Sequence, residues 1–114
     1  MGNTVVISLG GSLIVPDGID TDLLSRFKIF IQKGIIEGHS FVIITGGGKT
    51  ARRYQDAAAN VSDLNDEDLD WLGIHTTRLN AHLLRTVLRD IAHPVIITNP
   101  DDVLDVPKEA QVIV

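Results

Sequence analysis

The 114-residue chain predicts a three-layer α/β/α fold built on a parallel sheet. Three observations carry that reading. Two short runs, Val5-Val6-Ile7-Ser8-Leu9 and Phe41-Val42-Ile43-Ile44-Thr45, are β-branched and apolar on both faces, as parallel strands covered by helices are. Each run ends on glycines, Gly10-Gly11 and Gly46-Gly47-Gly48. Each turn is followed by a stretch of helical period, which in a parallel sheet makes right-handed crossovers.

The elements follow in order. Residues 4–9 form the first strand, with Ser8 its only polar intrusion after Thr4, and Pro16-Asp17-Gly18 is a loop. Asp20 caps a helix over 21–37, along which Leu23, Leu24, Phe27, Phe30, Ile31 and Ile35 recur at helical spacing. Gly38-His39 ends it, and 41–45 is the second strand. A helix over 49–60 is expected to turn Ala51, Tyr54, Ala58 and Val61 inward. Ser62 to Asp68 is an acidic loop and helix start, with carboxylates near the positive helix end. A long helix over 67–91 is expected to bury Leu69, Leu72, Thr76, Leu79, Leu83, Val87 and Ile91. Gly73 interrupts it at a cost of about 1 kcal/mol relative to Ala, so a contact there needs bare backbone. Pro94 opens a third strand at 95–98, Asn99-Pro100-Asp101-Asp102 is a turn, and Gln111-Val112-Ile113-Val114 begins a fourth. The order is β-α-β-α-α-β-β. A strand at the last residue, with no helix to cover it, reads as part of an incomplete domain.

Composition narrows the function. The net charge of −5 argues against a sequence-blind nucleic-acid surface, so any anion site is local, with Lys49, Arg52, Arg53 and Arg78 as candidates. There is no cysteine, hence no disulfide framework and no thiolate zinc site, which fits a reducing cytosol. No signal-peptide pattern is visible, and the apolar runs are too short to span a bilayer.

Gly46-Gly47-Gly48-Lys49-Thr50 is not a Walker A loop, because the position five before the glycine of Gly-Lys-Thr is Ile43. It reads either as a tight strand–helix turn or as backbone brought directly to a phosphate, with Arg52 one helical turn on and able to reach the same anion. Gly10-Gly11-Ser12 lacks the later glycine of a dinucleotide fingerprint. Ser12 supplies a hydroxyl to a phosphate or caps local backbone. Asp70 is a solvated carboxylate compensating a helix dipole, or it accepts from two ribose hydroxyls while Gly73 clears room for the nucleoside. His75 and His82 lie seven apart, which is not the spacing of a two-histidine zinc face. Asp63 to Asp68 lacks the glycine of a calcium loop, and no metal site is predicted. Asn60-Val61-Ser62 matches a glycosylation sequon, relevant only on secretion.

Taken together, Ile7-Ser8-Leu9-Gly10-Gly11-Ser12, Gly46-Gly47-Gly48-Lys49-Thr50-Ala51-Arg52, and Asp70 with Leu72-Gly73-Ile74 and Thr77-Arg78-Leu79-Asn80-Ala81 resemble the amino-acid-kinase superfamily, specifically the archaeal-type uridylate (UMP) kinases. The resemblance spans roughly residues 4–98. Ser8 stands where many superfamily members carry a lysine that archaeal-type members often lack as well. The resemblance implies phosphoryl transfer from ATP to UMP, giving ADP and UDP, with Mg²⁺ as cofactor. It implies that Gly11 and Ser12 hold ATP phosphates and that Gly47 touches UMP. Gly48 and Arg52 would lie on the phosphoryl-transfer side, Arg52 as the catalytic group, and Asp70 would bind the UMP ribose. It further implies a cytoplasmic homo-oligomer acting on small-molecule nucleotides in pyrimidine biosynthesis, with neither nucleic acid nor membrane as partner. Residues 1–114 would be the N-terminal, acceptor-binding part, inactive alone, because family members continue into a uridylate loop and an ATP-binding half. Two other readings stand beside it: a non-catalytic nucleotide- or phosphate-binding or assembly module, and a sister kinase with another acceptor.

Overall fold

The computed structural model describes residues 2–99 and 112–114. Strand β1 (Thr4–Leu9) is followed by a single helical turn α1 (Gly11–Ile14), then α2 (Thr21–Ile36), β2 (Ser40–Thr45), α3 (Gly48–Val61), α4 (Asp66–Val87) and a short β3 (Val112–Ile113). The sheet is parallel, in the order β1-β2-β3. The predicted α/β class with a parallel sheet is realised.

Each helix boundary has a local cause. Asp20 accepts the Leu23 N–H at 2.9 Å and starts α2. Gly38, at φ +91°, ends it in the left-handed region, where glycine carries no Cβ penalty; its N–H reaches the Ile35 carbonyl and that of His39 reaches Gly34. Asn65 starts α4 with a reciprocal cap: its side chain accepts the Asp68 N–H at 2.9 Å, and the Asp68 carboxylate accepts the Asn65 N–H.

The core lies on one face of the sheet. Leu9, Phe41, Ile43 and Val112 meet Leu24 and Ile31 of α2 and Ala81 and Leu84 of α4, with Leu88 just beyond that helix. Gly34 lets α2 approach the Phe41 ring, which a Cβ there would strike. The alternate strand residues Val6 and Ile44 are 62 % and 54 % exposed, so no described helix covers that face of the strand pair.

Three expectations are corrected. The third strand is not 95–98: that segment is irregular, and β2 pairs instead with Val112–Ile113, from the stretch expected to be a fourth strand. Residues 92–97 run alongside β3, through an Ala92–Val112 bridge and hydrogen bonds from His93 N–H to the Val112 carbonyl and Ile97 N–H to that of Val114. The expected turn at 99–102 falls, beyond Asn99, outside the described residues. In α3, Ala51 is buried but Tyr54 and Val61 are exposed, because the helix packs on α1 and α4 and its far end projects into solvent. Helix α4 stops at Val87 rather than 91; of the expected line Thr76 is buried and Leu83, Val87 and Ile91 pack partly buried against the core, but Leu79 is exposed, and Asn80, Ala81 and Leu84 face inward as well.

The consequence for function lies in the register. Thr4 pairs with Ser40 and Leu9 with Thr45, with no offset. The two strands therefore end side by side, and both glycine turns emerge at the same edge of the sheet.

Candidate nucleotide-binding site

The two turns touch. Gly11 is buried against the second turn, and a Cβ on it would lie 2.6 Å from the carbonyl carbon of Gly47 and 2.7 Å from the Gly48 nitrogen. Gly48, at φ +56°, needs glycine twice: for its left-handed backbone, and because a Cβ would lie 2.6 Å from the Gly11 carbonyl carbon. Ser12 completes the join, its Oγ accepting the Lys49 N–H at 3.2 Å. The Ser12 hydroxyl therefore caps backbone. Its proton still points elsewhere and can be given to an anion.

Helix α3 starts at this junction. Its first intrahelical bond is from Ala51 N–H to the Gly47 carbonyl. The amides of Gly47, Gly48 and Thr50 therefore lack intrahelical partners, while that of Lys49 goes to Ser12. A 14-residue helix adds the partial positive charge of its dipole at the same point.

Beside the turn opens a cleft of about 1050 Å³. Gly47, Gly48, Arg52, Asp70 and Arg78 all line it. Asp70, Gly73, Ile74, Thr77 and Arg78 fall at i, i+3, i+4, i+7 and i+8, so α4 presents them to the cleft as one stripe. Opposite lie Ile43–Thr45 of β2, whose edge has no β3 partner beyond Val42 among the described residues.

The structure therefore gathers four of the expected site residues, Gly47, Gly48, Arg52 and Asp70, into one cleft. Gly11 and Ser12 are not on its wall; they stand behind Gly48 and hold the turn from the rear. The cationic candidates separate in the same way. Arg52 and Arg78 line the cleft and form no ion pair among the described residues. The neighbouring Arg53 points away, bound to the Asp17 carboxylate at 3.1 Å and the Asp17 carbonyl at 3.2 Å, and ties α3 to the loop after α1. Lys49 is exposed and does not line the cleft. Gly73 faces Gln55 of α3, whose Nε2 would be 3.3 Å from an added Cβ and donates to the Leu69 carbonyl at 2.9 Å. The bare backbone expected there serves the α3–α4 contact and opens the cleft.

Sequence reasoning gave no role to three residues around the turn. Asn80 is 3 % exposed and donates to the Gly46 carbonyl at 2.8 Å. Thr77 stands over Gly47, and its carbonyl accepts the Thr45 hydroxyl at 3.3 Å. Gln55 braces the two helices. A signal for Asn80 was available: it continues the inward line Thr76, Asn80, Leu84, Leu88, and an amide in such a line needs a partner. Among the described residues no group of three or more His, Cys, Asp or Glu side chains is placed to hold a metal ion. They do not form a protein cage for the Mg²⁺ that the resemblance implies.

The model of the amino acid kinase family matches residues 3–112. The chain belongs to that family. Among curated relatives it is similar to the uridylate kinase of Pyrococcus abyssi, 37 % identical over 95 residues that cover 83 % of this chain and 41 % of that protein. It is also similar to the uridylate kinase of Thermoplasma volcanium, 36 % identical over 114 residues, all of this chain and 48 % of that protein. In three dimensions it matches the crystal structure of uridylate kinase from Archaeoglobus fulgidus with a TM-score of 0.79 at 26 % identity, covering 99 % of this chain and 49 % of the other. The chain thus spans half or less of the length of the relatives it matches. The resemblance read from the three motifs holds at the level of the family and its fold.

Proposed function

We propose that this chain is the acceptor-binding part of a UMP kinase, which transfers the ATP γ-phosphoryl group to UMP to give UDP. The observation that carries the proposal is the convergence of Gly47, Gly48, Arg52 and Asp70 on one cleft at the end of the parallel sheet. These groups divide the acceptor between them. Helix-start amides and the Arg52 guanidinium take phosphate oxygens, to which bare N–H groups and a planar cationic fork are suited. The Asp70 carboxylate takes the two ribose hydroxyls, for which two acceptor oxygens are suited.

Phosphoryl transfer asks the protein mainly to hold the reacting groups in line and to neutralise charge on the transferred group. Preoriented amides do this without reorganisation at the moment of reaction. Arg52, without an ion-pair partner among the described residues, is the charge placed to follow the transferred group. Gly11 and Ser12 act one layer back, where the Ser12 hydroxyl proton is not used in the bond to Lys49 and can reach an ATP phosphate. Mg²⁺ accompanies ATP on this reading, and no ligand set for it is assigned to this chain. The same reading makes the protein a cytoplasmic homo-oligomer of pyrimidine nucleotide synthesis, with the ATP-binding part lying in the half of the relatives that this chain does not span.

Titrating the isotope-labelled chain with UMP tests the acceptor role. Amide shifts at Gly47 and Asp70 that saturate with UMP are expected, with uridine moving Asp70 but not Gly47. A titration that leaves both residues unmoved overturns the acceptor assignment and favours an assembly module. UDP formed from ATP and UMP by the purified chain alone would show that no further half is needed.

A further inference from the structure

We propose that Asn80 is a positioning residue that aims the Gly47 amide into the cleft. The inference rests on the acceptor-site reading above and gives a role to a group outside the cleft wall. Asn80 is buried on α4, where a side-chain amide without partners costs far more than an apolar residue of the same shape. Its Nδ2 donates to the Gly46 carbonyl at 2.8 Å. That carbonyl belongs to the same planar unit as the Gly47 N–H, and in a trans peptide the two bonds point in opposite directions. Fixing one end of the plane fixes the other. Asn80 does not line the cleft, whereas Gly47 does, so holding the carbonyl toward Asn80 turns the N–H toward the cleft.

The turn has reason to need such a clamp. Gly46 and Gly47 carry no side chain, and glycine backbone is the least restricted of any residue. Gly46 is loosely surrounded: an added Cβ would find its nearest neighbour at 3.7 Å. No side chain of the turn itself therefore chooses between one orientation of the 46–47 peptide and the flipped one, and beyond packing of the Gly46 carbonyl oxygen against Gly11 the choice falls to the Asn80 hydrogen bond. The flipped peptide would present a carbonyl dipole to an incoming phosphate in place of an N–H. One buried side-chain hydrogen bond from the helix that also carries Asp70 selects the orientation that attracts an anion, and ties the phosphate and ribose subsites to one rigid element.

The test uses the isotope-labelled chain and Asn80→Asp, a near-isosteric change that removes the donor and sets an acceptor against the Gly46 carbonyl. Without nucleotide, the Gly46 carbonyl-carbon and Gly47 amide-nitrogen shifts are expected to move while the core resonances of Leu84 and Ile31 stay in place. With nucleotide, UMP is expected to bind about tenfold more weakly, the scale of one lost charge-assisted hydrogen bond, while uridine stays within about twofold of the parent. A merely structural asparagine would weaken both ligands alike. If the turn resonances do not move, or if UMP and uridine lose affinity together, the positioning role is overturned and the acceptor site stands. If the parent chain binds uridine and UMP equally well, the phosphate subsite itself is wrong. Should Asn80→Asp not fold, Asn80→Ala is read by the same two ratios.

Discussion

The two glycine turns look alike on paper and do different work. The first, Gly10-Gly11-Ser12, is turned inward: Gly11 is buried against the second turn and Ser12 caps the start of α3. The second, Gly46-Gly47-Gly48, is turned outward: Gly47 and Gly48 line the cleft and leave amides free for a ligand. Glycine permits close approach in both places. In the first, what approaches is the protein's own backbone. In the second, the proposed visitor is a phosphate. A glycine-rich strand–helix turn is therefore ambiguous until its neighbour is known, and in-register pairing of β1 with β2 supplies that neighbour.

Substitutions can break this contrast. The largest expected effect is on folding: Gly11→Ala drives a methyl group into the Gly47–Gly48 peptide, backbone with no flexible end to move aside, and should cost about 3 kcal/mol or more. Urea denaturation reads it directly. A loss under about 1 kcal/mol would mean that the turns separate easily and that the first is not a packing element. The next effect is on chemistry. In a kinase completed by an ATP-binding half, Arg52→Ala should lower turnover by about 10²–10³-fold, the scale of one lost transition-state contact, and leave the urea midpoint nearly unchanged because Arg52 is exposed and forms no ion pair among the described residues. Unchanged turnover would remove Arg52 from the site. A smaller effect belongs to Asp70→Asn, which keeps the shape and removes the charge. UMP should weaken about tenfold and ATP hardly at all. Equal weakening of both nucleotides would move Asp70 out of the acceptor subsite.

Much of this was legible in the chain itself. Strands β1 and β2 and the helix ends at Asp20 and Gly38 rest on local patterns that tertiary structure left intact, whereas the grouping of Gly47, Gly48, Arg52 and Asp70 came with the family resemblance. The misreadings share one cause, which is that helical period marks apolar residues without saying which face is needed. Leu79 was expected inside and Asn80 was given no role, yet the buried Asn80 side chain donates to the Gly46 carbonyl, so Asn80 faces in while Leu79 is exposed. Tyr54 and Val61 fit the inner stripe of α3 by spacing, but among the described residues both are exposed. The exchange of 95–98 for Val112–Ile113 as the third strand is a choice between two short β-branched runs for one sheet edge, and pairing over such a separation has no local signature. Arg52 and Arg53 are neighbours of one type; only the position of Asp17 shows that the second is tied to a loop.

The smallest expected effect is the sharpest test of the contrast, because it concerns the other glycine of the same turn. Gly10 sits at φ −63° and ψ 144°, ordinary extended backbone, and an added Cβ would meet nothing within 4 Å. Two small terms oppose each other there. Alanine lowers the entropy of the unfolded chain and stabilises by about 0.4–1 kcal/mol where the backbone tolerates it. Alanine is also a poorer start for a helix than glycine, which costs about as much, though α1 is only one turn long. Gly10→Ala should therefore change stability by less than about 0.5 kcal/mol and leave UMP affinity alone. If it destabilises as strongly as Gly11→Ala, the packing account of the first turn fails, since no steric reason distinguishes the outcome. If instead stability holds but ATP weakens in the completed kinase, the first turn is also a ligand surface, reaching the nucleotide through Gly10, the glycine left open, and not through Gly11, which the resemblance assigns to that task.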